Sequence, residues 1–285
     1  MADWFNGCEL NGMDPILISI ILGALTGVVL ALTGAGGTIV AVPLLMFSLH
    51  LTVAEAAPIG LFAVGLSAAI GALLGLRQKI VRYRAASLIA FAGALTAPAG
   101  VWLAQRLPNA PLSILFAAVL IFVAVRMFRQ SRQDSTDIVR STEEPPCRLD
   151  DIEGRLIWNI PCFRALSLSG TAAGFLSGLL GVGGGFIIVP TLRKVTDLSV
   201  PSILATSLAI IALISLTGVT SAIFIGALNW SIAIPFCGAT VAGMFLGRLF
   251  ADRVAGHTLQ QGFAIMAICI AISMIIKVIW NVFLL

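Results

Sequence analysis

Charged residues are scarce in this chain, and their scarcity excludes an ordinary water-soluble protein. Only 11% of the 285 residues are Asp, Glu, Lys or Arg, whereas a soluble domain carries roughly a quarter. Hydrophobic residues make up 59% of the chain, and the mean hydropathy is +1.06. Long apolar runs without the period-2 alternation of a barrel strand recur along the sequence. The composition therefore predicts an all-α integral membrane protein.

The groups that carry enzyme or metal chemistry are also few. The two histidines lie at the ends of apolar segments, and the five cysteines form no C-x-x-C pattern. We therefore expect no enzyme activity, no cofactor, no metal site and no disulfide framework. The cysteines are Cys8, Cys147, Cys162, Cys237 and Cys269. Because the net charge is only +4 and the basic residues lie in short connections, we expect membrane topology rather than a nucleic-acid partner to explain the pI near 9.0.

Polar stretches divide the chain into a tail, two transmembrane repeats and a linker. Residues 1–14 contain no Lys or Arg, unlike a cleavable signal peptide, and are predicted to be an extracytoplasmic N-terminal tail. The transmembrane repeats are predicted at 15–128 and 165–285, and a cytoplasmic linker at 129–164. The apolar segments of the first repeat are about 15–33, 37–49, 54–76, 85–105 and 112–128. Those of the second are about 165–180, 184–193, 200–224, 231–250 and 258–283.

The two halves of the chain repeat each other in sequence. The string LTGAGGTIVAVPLL around Gly34 aligns with LLGVGGGFIIVPTL around Gly181, an offset of 147 residues. The same offset, without a gap, also pairs Pro43 with Pro190. Each repeat is predicted to contain a broken or re-entrant helical hairpin followed by three transmembrane helices.

The distribution of Lys and Arg predicts that the two repeats are inserted with opposite topology. If the basic connection Arg77–Arg84 is cytoplasmic, 15 of the 17 Lys and Arg residues fall inside, and only Arg106 and Lys277 fall outside. Both termini are then extracytoplasmic, and the second repeat is upside down relative to the first. Inverted repeats are typical of secondary transporters, which bind substrate near the midplane.

Glycine clusters interrupt the first hairpin of each repeat and are the candidate substrate site. The helix after each cluster is too short to span, so its start must lie in protein or in a wet cavity. A helix N-terminus carries free N–H groups and partial positive charge, which favours an anion. Tight helix packing is the alternative role for these glycines. The candidate ligands are the backbone amides of Gly36, Gly37, Gly183, Gly184 and Gly185 and the hydroxyls of Thr38, Thr206 and Ser207.

Other roles remain open for the remaining polar residues. Thr206 and Ser207 can instead bond back to their own helix. Arg248 and Arg253 are candidates for a cytoplasmic funnel that concentrates anions, although snorkelling to lipid headgroups is the alternative. The carboxylates near the spans lie at segment ends, so no mid-membrane carboxylate is expected to bind sodium or relay protons.

The duplicated strings GAGGTIVAVPLL and GVGGGFIIVPTL, in a small apolar chain, resemble the TauE/SafE family of sulfite and organosulfonate exporters. The resemblance covers nearly the whole chain except the tail and linker. It implies export of a small sulfur-containing anion, such as sulfite or a C2 sulfonate like sulfoacetate, from the cytoplasm of a bacterium through its cytoplasmic (inner) membrane. The first string has Thr38 where the second has Gly185, so the two half-sites are unequal. An uptake permease for an inorganic sulfur anion and a non-transporting membrane scaffold subunit are the alternatives.

Overall fold

The computed structural model confirms an all-α protein. It describes residues 15–33, 37–133, 147, 159–196, 198–251, 262 and 265–276, which form ten helices and no strand. The helices are α1 (Pro15–Thr33), α2 (Gly37–Ser48), α3 (Val53–Arg77), α4 (Tyr83–Arg106), α5 (Asn109–Gln133), α6 (Ile160–Leu180), α7 (Gly185–Val195), α8 (Val200–Ile225), α9 (Trp230–Ala251) and α10 (Ile265–Ile276).

Among the described residues, five helices are long and apolar enough to cross a membrane: α3, α4, α5, α8 and α9. Three of them follow the hairpin region of the first repeat and two follow that of the second, and the arrangement of three spans in each repeat stays a prediction. The last segment, predicted at 258–283, is described as helix α10 over Ile265–Ile276. The chain is therefore a multi-pass membrane protein.

Glycines bring helices of the two repeats into backbone contact. Helix α1 packs along α9, and α4 packs along α6, each pair running in parallel. At seven of these glycines a Cβ atom would overlap a carbonyl oxygen of the other helix. Four of these contacts are Gly23 with Phe236, Gly27 with Thr240, Gly170 with Ile89 and Gly174 with Gly93. The first two contacts and the last two are counterparts at the 147-residue offset.

Helices α3 and α8, which are counterparts in the two repeats, cross each other antiparallel. Residues late in α3 contact residues early in α8, and the reverse holds at the other end. The contacts are Gly75 with Ala205, Gly65 with Ser215 and Leu61 with Gly218. Oppositely inserted halves require such an antiparallel crossing of equivalent helices. The inverted topology stays a prediction, and these contacts support it.

Local sequence explains how α3 is held at its start. Thr52 and Glu55 form a capping box, and Asn109 Oδ1 accepts the backbone N–H of Val53 at 3.1 Å. Pro58 removes the hydrogen bond that the Ala54 carbonyl would accept within the helix. Gln105 Nε2 donates to that carbonyl at 3.0 Å, so the proline leaves no open acceptor there.

The linker differs from its prediction in one respect that matters. No disulfide framework is expected from the sequence, but Cys147 and Cys162 are bonded. Cys147 also donates its backbone N–H to Val195 O at 3.1 Å, next to an isolated bridge with Thr196. The disulfide therefore joins Cys147 to the start of α6, and the hydrogen bond joins it to the end of α7, an arrangement that spacing in the sequence does not reveal. Helix also extends into both ends of the predicted linker, through Gln133 and from Ile160.

Candidate functional site

The break in the second hairpin is a buried glycine turn between α6 and α7. Helix α6 ends with Gly181 in the left-handed region, and its N–H donates to Ser177 O at 2.8 Å. Gly183 and Gly184 also have positive φ, at 69° and 68°. Glycine adopts this backbone conformation without the penalty that other residues meet. Helix α7 then begins at Gly185, with Gly184 O accepting the N–H groups of Ile187 and Ile188.

Close packing holds this turn inside the protein. A Cβ at Gly181 would overlap Ala57 of α3, and a Cβ at Gly184 would lie 2.9 Å from Ala173 O of α6. All residues from 181 to 186 are buried. Since α7 has 11 residues, it extends about 16 Å at 1.5 Å per residue, too short to cross a bilayer. The prediction of a short half-helix with a buried start is confirmed for the second hairpin.

The start of α7 is a positive site without a nearby described acid. The first amides of a helix have no acceptor within it, and together they carry about half a positive charge. Within the described part of the chain Glu55 is the one acidic residue, and it is engaged in capping α3 at Thr52. A buried N-terminus of this kind is suited chemically to an anion.

The turn lies next to α2 of the first hairpin. Gly60 of α3 makes this connection, because a Cβ there would lie 3.2 Å from Val42 and 3.9 Å from Gly181 O. Helix α2 has 12 residues and starts at Gly37, about one turn before Ala41 and Val42. Phe186 at the start of α7 belongs to the same hydrophobic cluster as Val42 of α2. The structure thus brings the second break close to the first short helix, as a shared site requires.

The other predicted ligands of the first break fall partly outside the described residues. Gly36 lies outside them, and for Thr38 only the helical backbone is described. Gly37 is the first residue of α2.

The predicted hydroxyls on α8 have partners of their own. Thr206 Oγ1 accepts the backbone N–H of Arg82 at 3.1 Å, and Ser207 Oγ donates to Leu204 O at 2.8 Å. Thr206 thus anchors the α3–α4 connection, and Ser207 is bonded back to its own helix, which matches the alternative role.

The predicted arginine funnel is only partly described. Arg248 is in α9, with its backbone alone described, and Arg253 lies outside the described residues. Other basic residues lie at the end of α3, in the α3–α4 connection and at the end of α7. Ser202 Oγ donates to Ile80 O at 2.7 Å, and Cys147 donates its backbone N–H to Val195 O. The basic α3–α4 connection, the α7–α8 connection and Cys147 of the linker therefore lie on one face.

Ser177 of α6 is a further polar residue near the break that the sequence does not single out. It is fully buried, at 0% exposure, and its Oγ has no hydrogen-bond partner among the described residues. Its carbonyl oxygen accepts the N–H of the first glycine of the break. A serine inside an apolar helix gives no signal in sequence, because most such hydroxyls bond to a carbonyl of the preceding turn.

Apolar spans packed around a half-helix that starts inside the protein are an arrangement typical of membrane transporters. The chain belongs to the TauE/SafE family. The family model described as "Sulfite exporter TauE/SafE" matches residues 19–274. The family is one of membrane transporters, which implies a small-molecule substrate and a lipid bilayer as surroundings.

Curated relatives carry the same general description. A "Probable membrane transporter protein" of Xylella fastidiosa (strain Temecula1) is 30% identical over 267 residues, covering 92% of this chain and 96% of the relative. The "Probable membrane transporter protein YunE" of Bacillus subtilis is 24% identical over 277 residues, covering 93% and 99%. No solved structure matches this chain with significance.

Proposed function

We propose that this protein exports a small sulfur-containing anion, sulfite or a C2 organosulfonate such as sulfoacetate, across the bacterial cytoplasmic membrane. The anion is held where the short helices α2 and α7 begin. The observation that carries the proposal is the buried start of α7 at Gly184–Gly185. An anion leaving water needs several hydrogen-bond donors at once, and a helix N-terminus supplies them without a permanent charge that would slow release.

The site draws on both repeats. The amides of Gly183, Gly184 and Gly185 form the half-site of the second repeat. Their counterparts Gly36, Gly37 and Thr38 form that of the first. The contact of Gly60 with both Val42 and Gly181 supports a shared site. The predicted ligands Thr206 and Ser207 of α8 have a smaller part in this site, because their hydroxyls already form hydrogen bonds. Thr206 accepts the N–H of Arg82, and Ser207 donates to Leu204 O.

The membrane potential supplies a driving force for export. An inside-negative potential favours outward movement of an anion by about 2.3 kcal/mol per charge per 100 mV. For a monovalent anion at 100 mV this corresponds to about a fiftyfold concentration ratio at equilibrium. Arg248 and Arg253 on the linker side would raise the local concentration of anions before they bind.

Transport in proteoliposomes tests the proposal. Vesicles containing the purified protein are loaded with radiolabelled sulfite, sulfoacetate or sulfate, and a potassium gradient with valinomycin sets the potential. We expect efflux of sulfite or sulfoacetate that accelerates when the interior is negative and slows when the sign is reversed. Loaded vesicles without the protein measure the passive leak of each anion.

The other outcomes separate the alternatives. Net movement inward against that potential, dependent on a second ion, would indicate an uptake permease. A protein that moves none of the three anions at either sign of the potential is not the carrier proposed here.

A further inference from the structure

Ser177 differs from the other hydroxyl residues described on α6. Ser167, Ser169 and Thr171 each donate to a carbonyl three or four residues earlier. Ser177 Oγ has no such bond and no other partner among the described residues, although the residue is 0% exposed. A buried hydroxyl without a partner costs free energy, so it needs an explanation beyond the packing of α6.

Ser177 lies close to the break between α6 and α7. It follows Ala173 by one helical turn and therefore lies on the same side of the helix. Ala173 is the residue that Gly184 contacts, since a Cβ at Gly184 would lie 3.0 Å from Ala173 Cβ. Ser177 also accepts the N–H of Gly181 through its carbonyl. Ser177 therefore lies next to the glycine turn, on the side of α6 that Gly184 packs against.

At the position equivalent to Ser177 the first repeat has no hydroxyl group. The counterpart of Ser177 at the 147-residue offset is Leu30, which is 2% exposed and belongs to a hydrophobic cluster. Ser215, another buried serine whose Oγ has no partner among the described residues, lies against Gly65 at the crossing of α3 and α8. The open hydroxyl beside the glycine turn is therefore a property of the second hairpin.

We infer that the Ser177 hydroxyl is a side-chain ligand of the anion bound at the start of α7. This inference rests on the function proposed above and adds a residue to its site. The amides of the turn and the Ser177 O–H converge on the same anion. The anion binds off the axis that relates the two repeats, because Leu30 offers no donor on the other side.

Binding measured on the purified full-length protein tests this role. Sodium sulfite and sulfoacetate are titrated by calorimetry into the wild type, Ser177→Ala and Ser169→Ala, and the melting temperature of each is measured without ligand. We expect Ser177→Ala to raise the Kd about tenfold, the scale of one hydrogen bond to a charged group. Its melting temperature without ligand should stay the same or rise, because the hydroxyl has no partner to lose.

Ser169→Ala is the matched control. Ser169 is a buried serine of the same helix, two turns earlier, and its hydroxyl donates to Leu166 O at 2.8 Å. We expect this variant to lose some stability and to keep the wild-type Kd.

Three results would overturn the inference. A wild type that binds and a Ser177→Ala variant that binds equally well would overturn the role of Ser177 and leave the transporter proposal standing. A lower melting temperature of Ser177→Ala without ligand would show a structural role instead. A wild type that binds neither anion would overturn the proposed function, and this inference with it.

Discussion

At the scale of single residues, glycine decides how closely the helices approach. Gly174 of α6 lies against the backbone of Gly93 in α4, and Gly27 of α1 lies against Thr240 of α9 in the equivalent place. Such contacts are favoured in membranes, where lipid offers no hydrophobic drive for helix association and backbone proximity increases van der Waals contact. The glycines of α6 therefore hold the helix that carries Ser177 and ends at the break.

A substitution at Gly174 tests this packing. A methyl group there would overlap the Gly93 carbonyl, so Gly174→Ala should lower stability by about 1–3 kcal/mol. Thermal unfolding in detergent, followed by loss of the monodisperse peak, measures the change. Gly238→Ala in α9 is the control, because a Cβ there meets nothing within 4 Å. It should be neutral or slightly stabilising. Equal melting temperatures for the two variants would contradict the close contact.

At the scale of elements, α7 is held at both ends by different means. Its start is fixed by the buried glycine turn against α3 and α6. Its end accepts a hydrogen bond from Cys147 of the linker at Val195 O, and the Cys147–Cys162 disulfide fixes Cys147 to the start of α6. Cys147 and Cys162 are both buried. Cys147 of the linker therefore holds the end of α7, the half-helix whose start forms the proposed site.

Breaking the disulfide should lower the stability of the protein. The bond spans a sequence separation of 15 residues, for which loop closure predicts a stabilisation of about 3 kcal/mol. We expect a reductant to lower the melting temperature of the wild type and to leave a Cys147→Ala/Cys162→Ala double variant unchanged. Cys269→Ser, at an exposed free cysteine, should respond like the wild type. A wild type with all its thiols titratable and an unchanged melting temperature would rule out a stabilising bond.

At the scale of the whole molecule, two properties predict opposite sides of the membrane for the linker. The count of Lys and Arg predicts that it is cytoplasmic. Disulfides persist mainly in oxidising compartments, which favours the other side. The basic α3–α4 connection lies on the same face as the linker through Ser202 and Ile80. Whichever side holds one of these connections therefore holds the other.

Labelling from outside the cell decides the orientation. Single cysteines are placed at position 5 and at position 140, in a background with Cys8, Cys237 and Cys269 replaced by serine so that the disulfide is kept. An impermeant maleimide should label position 5 and miss position 140 until the membrane is permeabilised. The reverse pattern would place the linker outside, and labelling at both positions would defeat the inverted topology.

Much of the fold follows from the sequence because membrane helices are specified by continuous apolar length. The five spans and the short helices after each glycine cluster lie where the apolar runs predict them. The backbone part of the candidate site was predictable, because the duplicated glycine strings mark the two helix breaks. Ser177 was not, because the sequence cannot show that one serine in a helix lacks the back-bond that its neighbours make.

The sequence by itself determined the class of protein, the positions of the helices, the repeat and the family, because each depends on local composition or on matching strings. Only the tertiary structure decided which helices meet: α1 with α9, α4 with α6, and α3 with α8 in antiparallel contact. It also joined Cys147 to Cys162 and placed Ser177 beside the glycine turn. These features depend on contacts between residues far apart in the chain, which no local pattern encodes.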